Sequence, residues 1–304
     1  FKDYLDKLET LEGLVKKSAV DFWKAQFPSR EYSFHIPVDH RLGANVEASE
    51  SSESYLLSKE QTQALQKIRR RYDCSLYIVL LAPLYVLMSE WSRQPWVVLS
   101  HRMHGRDLGS NSDEGSASEN CYFASVGNFA VNFPVGISLD KLSWIEIIQQ
   151  LKSFFAKVPL NGVSFDWVGE ELPSYCYPDN NLTPVRANFL GNRSTPSSPF
   201  FEFASDEVGQ RYSLAEQSRI SLMEVFFMIV DEQINIEWSY SKNFHQTDTI
   251  KRLAEDYKKY IQCLLDDKPP FFLPSQQAIN GETTKTLAGK TAIVTGASRG
   301  IGRH

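Results

Sequence analysis

From Leu76 to Met88 the chain reads Leu-Tyr-Ile-Val-Leu-Leu-Ala-Pro-Leu-Tyr-Val-Leu-Met, without a single charge. The run is short against the roughly 20 residues that cross a bilayer, and Pro83 interrupts it. It therefore has to be covered by protein. A helix over roughly Ser75 to Trp91 is apolar on most sides, so it belongs deep in a core. That requirement selects a layered domain, with other elements packed around one central helix.

The rest of the chain can supply those layers. Of 304 residues, 42% are hydrophobic and 23% charged, which excludes a disordered chain. This length holds one large domain or two small ones. The net charge of -5 leaves no electrostatic footprint for nucleic acid or an anionic membrane. Arg69-Arg70-Arg71 closes a helix, where cations favour the negative dipole end. Cys74, Cys121, Cys176 and Cys263 are far apart, with neither C-x-x-C nor paired His spacing. They read as reduced thiols of a cytosolic protein rather than a zinc site or disulfide framework. No signal peptide is visible.

Periodicity and caps place the elements. Leu5, Leu8, Leu11, Val15, Phe22 and Trp23 predict a helix over Phe1 to Phe27, closed by Pro28. Arg30 to Ser54 is polar and irregular, with a strand near Tyr32 to Ile36. Ser58-Lys-Glu-Gln61 is a capping box opening a helix whose face carries Ala64, Leu65, Ile68 and Tyr72. Trp96 to Ser100 predicts a buried strand, and residues 107 to 121 a mobile loop. Val126 to Val135 is extended and broken by Pro134. A second capping box, Ser143-Trp-Ile-Glu146, starts a helix with Ile147, Ile148, Leu151, Phe154 and Phe155. Strands follow at Val185 to Leu190, Ile220 to Val230 and Ile234 to Tyr240, the last two a hairpin around Asp231-Glu232-Gln233. A last helix runs from Thr247 to Leu265. Strands and helices mix without strict alternation, so the body is α/β or α+β rather than a Rossmann fold.

Residues 266 to 287 read as a linker. After it, Lys290-Thr-Ala-Ile-Val-Thr-Gly-Ala-Ser-Arg-Gly-Ile-Gly302 joins a β-branched run to a Gly-rich turn. Gly296, Gly300 and Gly302 spell Thr-Gly-x-x-x-Gly-x-Gly, the opening of a dinucleotide-binding unit. Residues 288 to 304 resemble the start of a polyketide-synthase ketoreductase of the short-chain dehydrogenase type. No receiving helix, ribose-binding acid or Tyr-x-x-x-Lys pair follows, so this cofactor motif is incomplete. The chain reads as a piece of a larger polypeptide.

Six motifs carry a second resemblance, over about residues 1 to 265. Phe1-Lys-Asp-Tyr-Leu5 with Phe22-Trp23 resembles the helix after the active-site motif of nonribosomal-peptide condensation and epimerisation domains. His101-Arg-Met-His-Gly-Arg-Asp107 resembles the epimerisation motif Glu-Gly-His-Gly-Arg-Glu. Val126-Gly-Asn-Phe-Ala-Val-Asn-Phe-Pro134 is similar to a Gly-x-Phe-x-x-x-x-Pro strand, and Leu151 to Gly162 to a Lys-x-x-x-x-x-Val-Pro-x-x-Gly segment. Ala187-Asn-Phe-Leu-Gly191 resembles Phe-Asn-Tyr-Leu-Gly, and Glu237-Trp-Ser-Tyr-Ser241 a closing Trp-x-Tyr-Ser strand. The resemblance implies one C-terminal lobe of a chloramphenicol-acetyltransferase-like fold, a mixed sheet with packed helices. A ketoreductase behind it implies a hybrid polyketide/nonribosomal-peptide megasynthase, with NADPH and phosphopantetheine-carried substrates in the parent protein.

The same resemblance bears on chemistry. The family's general acid/base is the second His of His-His-x-x-x-Asp-Gly, and no His-His occurs in this chain. The proton-exchanging Glu of the epimerases falls at Arg102, whose guanidinium cannot take a proton at neutral pH. His104 reads as a satisfied strand-end residue, against a proton shuttle beside Arg102 and Arg106. Gly105 and Arg106 complete the motif. Asp107 reads as a turn or cap residue, against a replacement carboxylate. Asn188 reads either as tunnel lining or as a backbone-paired strand residue. Phe154, Phe155, Phe165 and Trp167 read as core. Ser100 and Ser125 lack triad partners. The expectation is a non-catalytic structural or interaction lobe, without a cofactor or metal of its own. Its partners would be a carrier protein, a ketoreductase and an N-terminal lobe, or a second copy as a homodimer. The alternative is the acceptor-side half of an active condensation- or epimerisation-type domain, with residues 107 to 125 and 192 to 216 as crossovers to the other half.

Overall fold

Ser75 starts the central helix by accepting the Ile78 backbone N–H on its hydroxyl at 3.2 Å, so the apolar run begins on a defined cap. The structure is a computed structural model, and it describes residues 1–27, 34–108, 122–140, 142–168, 183–193 and 214–270. These belong to a unit spanning Phe1–Pro270. All but the first two residues of the expected loop at 107 to 121, most of the expected crossover at 192 to 216, Cys121, Cys176 and everything from 271 to 304 lie outside the described residues. The incomplete cofactor glycines Gly296, Gly300 and Gly302 are among them.

In chain order the elements are α1 (Lys2–Gln26), β1 (Glu50–Leu56), α2 (Lys59–Arg71), α3 (Leu76–Ser92), β2 (Trp96–Met103) and β3 (Val131–Ser138). Then come α4 (Trp144–Lys157), α5 (Phe165–Val168), β4 (Val185–Asn192), β5 (Met223–Val230), β6 (Gln233–Ser241) and α6 (Thr247–Leu265). The strands form one mixed sheet in the order β1-β6-β5-β4-β2-β3. β4 runs parallel to both β2 and β5, and the remaining pairs are antiparallel. The α+β reading stands: one mixed sheet with helices packed on it.

Both capping boxes form in full, at Ser58 with Gln61 and at Ser143 with Glu146. The β5–β6 hairpin turns through Asp231 (φ 46°) and Glu232 (φ 67°). Two successive left-handed residues are what a tight turn between right-twisted strands requires.

The helices meet one face of the sheet. Tyr77 and Tyr85 of α3 reach His101 of β2, Tyr257 of α6 rests on Phe227 and Trp238, and Phe155 of α4 on Phe133. From Leu76 to Ser89 every residue of α3 is buried, as a helix between sheet and outer helices must be. α1 is held through Trp23, which is fully buried against Phe133 and Phe165.

Three expectations change. β1 begins inside the stretch assigned as irregular and runs two residues past it: Glu-Ser-Ser-Glu-Ser-Tyr-Leu has no apolar alternation because, among the described residues, it is an edge strand paired with β6 alone. Residues 34 to 36 are not strand. Pro134 does not end its strand but sits inside β3, the other edge, where a missing N–H breaks no ladder.

Candidate functional site

On the sheet face away from the helices, strand register builds two rows of polar side chains. Pairing places Pro134, Ser100, Arg186, Glu224, Ser239 and Ser52 side by side across the six strands. One step along, it aligns Asn132, Arg102, Asn188 and Phe226. Period-2 alternation explains the division: Val97, Leu99 and His101 face α3, so Val98, Ser100 and Arg102 face away.

The first row is buried from Pro134 to Ser239 and exposed only at Ser52 on the edge strand. Arg186 donates to the Glu224 carboxylate at 2.5 Å, with the side chains only 7% and 10% exposed. Among the described residues its Nε and Nη1 have no acceptor, and the Ser100 hydroxyl and Asn132 Oδ1 are likewise buried without a partner. Farther along, Arg219 donates to Ser239 at 2.8 Å and lies 3.4 Å from Glu50, whose carboxylate accepts from Ser239. The second row, Asn132, Arg102 and Asn188, is half-buried. Sequence reasoning missed Arg186, Glu224 and Asn132. The available signal was a lone charge inside each of two apolar strands, Val185 to Leu190 and Met223 to Val230.

The motif around Arg102 divides into parts with different tasks. His101 is fully buried between two tyrosines. Tyr85 donates its hydroxyl to the Val135 carbonyl at 2.8 Å, so its oxygen must accept from His101 Nε2–H at 3.0 Å. Nδ1 is then the bare nitrogen and accepts from Tyr77 at 2.7 Å. Both ring nitrogens are occupied, and burial pushes the imidazole down to about 3. At neutral pH it neither gives nor takes a proton.

His104 follows the strand end, exposed, with Nδ1 accepting the Arg106 N–H at 3.0 Å and the ring beside Phe123. Partial burial lowers its pKa. Gly105 has φ +59°, and a Cβ there would lie 1.9 Å from the Phe129 carbonyl oxygen, so only glycine fits. Arg106 donates to the carbonyls of Tyr122, Ser125 and Gly127 and stands 4.2 Å above the Phe129 ring. It fastens the 122–129 segment. The Asp107 carbonyl accepts from Asn161 at 3.1 Å. The structure thus brings Arg102 and Asn188 together with Asn132, and sets His104, Arg106 and Asp107 to the task of shaping a loop. Phe155 packs on His101, Tyr77 and Phe133, and Phe154 on Phe22; of the four aromatics read as core, Phe165 is buried, whereas Phe154, Phe155 and Trp167 are half-buried at the core's margin.

A second buried histidine stands apart. His245 is 1% exposed, has no partner on either nitrogen among the described residues, and lies beside Trp91. Burial lowers it to about 4. In the unfolded chain both His101 and His245 titrate near 6.5. The native state stays neutral where the unfolded state gains protons, so both contribute stability that is full above pH 6.5 and lost as pH falls below it. Between pH 6 and pH 5 the fold should lose about 2 kcal/mol, roughly one proton per histidine. Urea unfolding followed by tryptophan fluorescence at the two pH values checks this, with His245→Gln expected to halve the loss.

Among the described residues no group of three or more His, Cys, Asp or Glu could hold a metal ion. Cys74 and Cys263 are free thiols. No single described helix is long and apolar enough to cross a membrane.

Comparison with known proteins gives the frame for this arrangement. A family model described as "Condensation domain" matches residues 1–273. Tyrocidine synthase 2 of Brevibacillus parabrevis is 24% identical over 275 residues, covering 88% of this chain and 7% of that protein. The epimerization domain from the third module of tyrocidine synthetase B superposes with a TM-score of 0.61 at 22% identity, over 77% of this chain and 52% of that one. The SgcC5 protein from Streptomyces globisporus gives 0.63 at 14% identity, over 86% and 58%. The chain thus spans about half of these solved structures and a small fraction of the curated synthase it matches.

Proposed function

This chain belongs to the condensation-domain family, and from that premise we propose that it works in a nonribosomal-peptide-type synthase as a lobe without proton-transfer chemistry of its own. The observation that carries this reading is His101, the histidine at the head of the motif, which is clamped between Tyr77 and Tyr85 and held neutral. Arg102, in the place where the resemblance puts a proton-exchanging carboxylate, is a permanent cation. The task of the lobe is then structural: to present a polar sheet face to carrier-bound acyl or peptidyl thioesters and to dock on neighbouring domains. A carrier protein is the natural partner, and a ketoreductase encoded by residues 288 to 304 and beyond would make the parent a hybrid synthase using NADPH. A homodimer is a further arrangement for the same lobe.

A second reading is favoured by one observation. The orphaned donors and acceptor at Ser100, Arg186 and Asn132 suit the acceptor-side half of an active condensation- or epimerisation-type domain, which would contact substrate while another segment moves the proton.

The test is α-proton exchange. The purified chain, given an aminoacyl thioester on a carrier protein in heavy water, should incorporate deuterium no faster than the thioester alone, as read by mass spectrometry. Exchange above that background, abolished by Arg102→Met, would overturn the assignment.

A further inference from the structure

Residues 34 to 45 lie against the end of β6 and the start of α6, and apart from Phe34 every one of them is exposed or half-buried. What holds them is polar. The N–H groups of Asp39 and His40 donate to the Phe244 carbonyl at 3.0 and 3.4 Å, and that of Leu42 to the Asn243 carbonyl at 2.9 Å. His40 Nε2–H donates to the Lys242 carbonyl at 2.8 Å. Asp39 is the pin. One carboxylate oxygen accepts the Gln246 N–H at 2.8 Å, and the other accepts the Thr249 hydroxyl at 3.0 Å. Gln246 gives α6 no side-chain cap, so a carboxylate 207 residues away in sequence does the work of an N-cap. A segment fastened by exposed hydrogen bonds belongs to the part of a fold that opens locally.

Under the pin lies His245, 1% exposed, with neither ring nitrogen partnered among the described residues. An imidazole so placed cannot hold a proton unless an acceptor or water reaches it. The titratable and charged groups that bear on it are Asp39 and His40, both on the 34–45 segment. From α3 it meets the uncharged Trp91 ring, 5.7 Å away between centroids; Glu90, next to that residue, acts on Tyr260 of α6. Lys242 and Asp248, on either side of His245 in sequence, are exposed. Asp39 is thus the carboxylate to which an imidazolium would turn, and both of its oxygens are committed to α6. A protonated His245 is accommodated by drawing Asp39 off the helix or by admitting water, and either lifts the segment.

The segment is also tied to the polar sheet face. Just beyond it, the Arg219 N–H donates to the Asn45 carbonyl at 3.0 Å, and the N–H groups of Glu47 and Ala48 donate to the Gln217 and Ala215 carbonyls at 2.8 and 2.9 Å. Arg219 is the guanidinium that serves Ser239 and Glu50 on that face. We propose that residues 34 to 45 form a proton-released strap: with His245 neutral, Asp39 pins them to α6, and with His245 protonated they lift and loosen the segment that carries Arg219. The closed strap holds the imidazole down to about 4, and the open strap leaves it near 6.5. Closure is therefore fully favoured above pH 6.5 and weakens as pH falls from there toward 4.

Hydrogen exchange of the whole 304-residue chain, resolved to single amides and corrected for the intrinsic pH dependence of exchange, tests this. The amides of Asp39, His40, Leu42 and Arg219 should open about twentyfold more at pH 5 than at pH 7, and should open more readily than those of α3 at both. His245→Leu, which fills the site with apolar atoms, should abolish the rise. Asp39→Asn, which leaves one acceptor oxygen where two donors point, should open the same amides about tenfold or more at pH 7. Equal protection at the two pH values, a rise that persists in His245→Leu, an Asp39→Asn strap that stays closed, or strap amides that open only together with those of α3 would overturn the proposal.

Discussion

Glu224→Ala should lower the unfolding free energy by about 3–5 kcal/mol, whereas Arg186→Met combined with Glu224→Leu should leave it unchanged or raise it by about 1–4 kcal/mol. The asymmetry follows from burial. Arg186 and Glu224 face each other across β4 and β5 with side chains 7% and 10% exposed. Removing the carboxylate strands a guanidinium that already lacks acceptors at Nε and Nη1. Removing both charges and filling the space with apolar atoms abolishes the desolvation cost altogether. Urea unfolding of the parent, both single variants and the double variant closes the cycle. A loss below about 1 kcal/mol for Glu224→Ala would mean that the pair behaves as an exposed one. If the double variant gains stability, the pair is maintained at the expense of the fold, which is the signature of a binding rather than a structural role.

The second large effect lies in the core. Trp23→Ala should cost about 3–5 kcal/mol, in the range for deleting a large buried aromatic. Trp23 is fully buried, its ring 4.8 Å from Phe165 and 5.9 Å from Phe133 between ring centroids, and its Nε1–H donates to Ser164 at 3.2 Å. It is the peg by which α1 attaches to β3 and α5. The loss should therefore be local as well as global: amides of Leu11 to Trp23 exchange faster, while those of α3 keep their relative protection. Trp23→Phe should cost far less. Ser164 donates in any case to the Pro159 carbonyl at 2.9 Å, so the lost indole bond leaves no buried hydroxyl stranded. Hydrogen exchange with mass spectrometry separates the two variants.

The legible parts of this fold are those with a local cause. The two capping boxes, the apolar α3 and the β5–β6 hairpin each carry their signal within a few residues, and each formed where the pattern put it. β1 was not legible because an edge strand of serines and glutamates needs only a neighbour's backbone, which no side-chain pattern records. The motif at His101 to Asp107 was found by likeness, yet its internal division was hidden. Whether a histidine at a strand end is exposed or clamped depends on Tyr77 and Tyr85, which stand 24 and 16 residues away. The Arg186–Glu224 pair was out of reach for the same reason. Its members are 38 residues apart, and only parallel register puts them side by side.

The unequal rims of the sheet have a consequence for crowded assemblies. At one border, β1 shows Glu50 and Glu53 among serines; at the other, Pro134 withholds a backbone donor. Neither margin offers a clean template for foreign strands. At high local concentration such blunted borders steer like-folded neighbours away from fibril-like stacking.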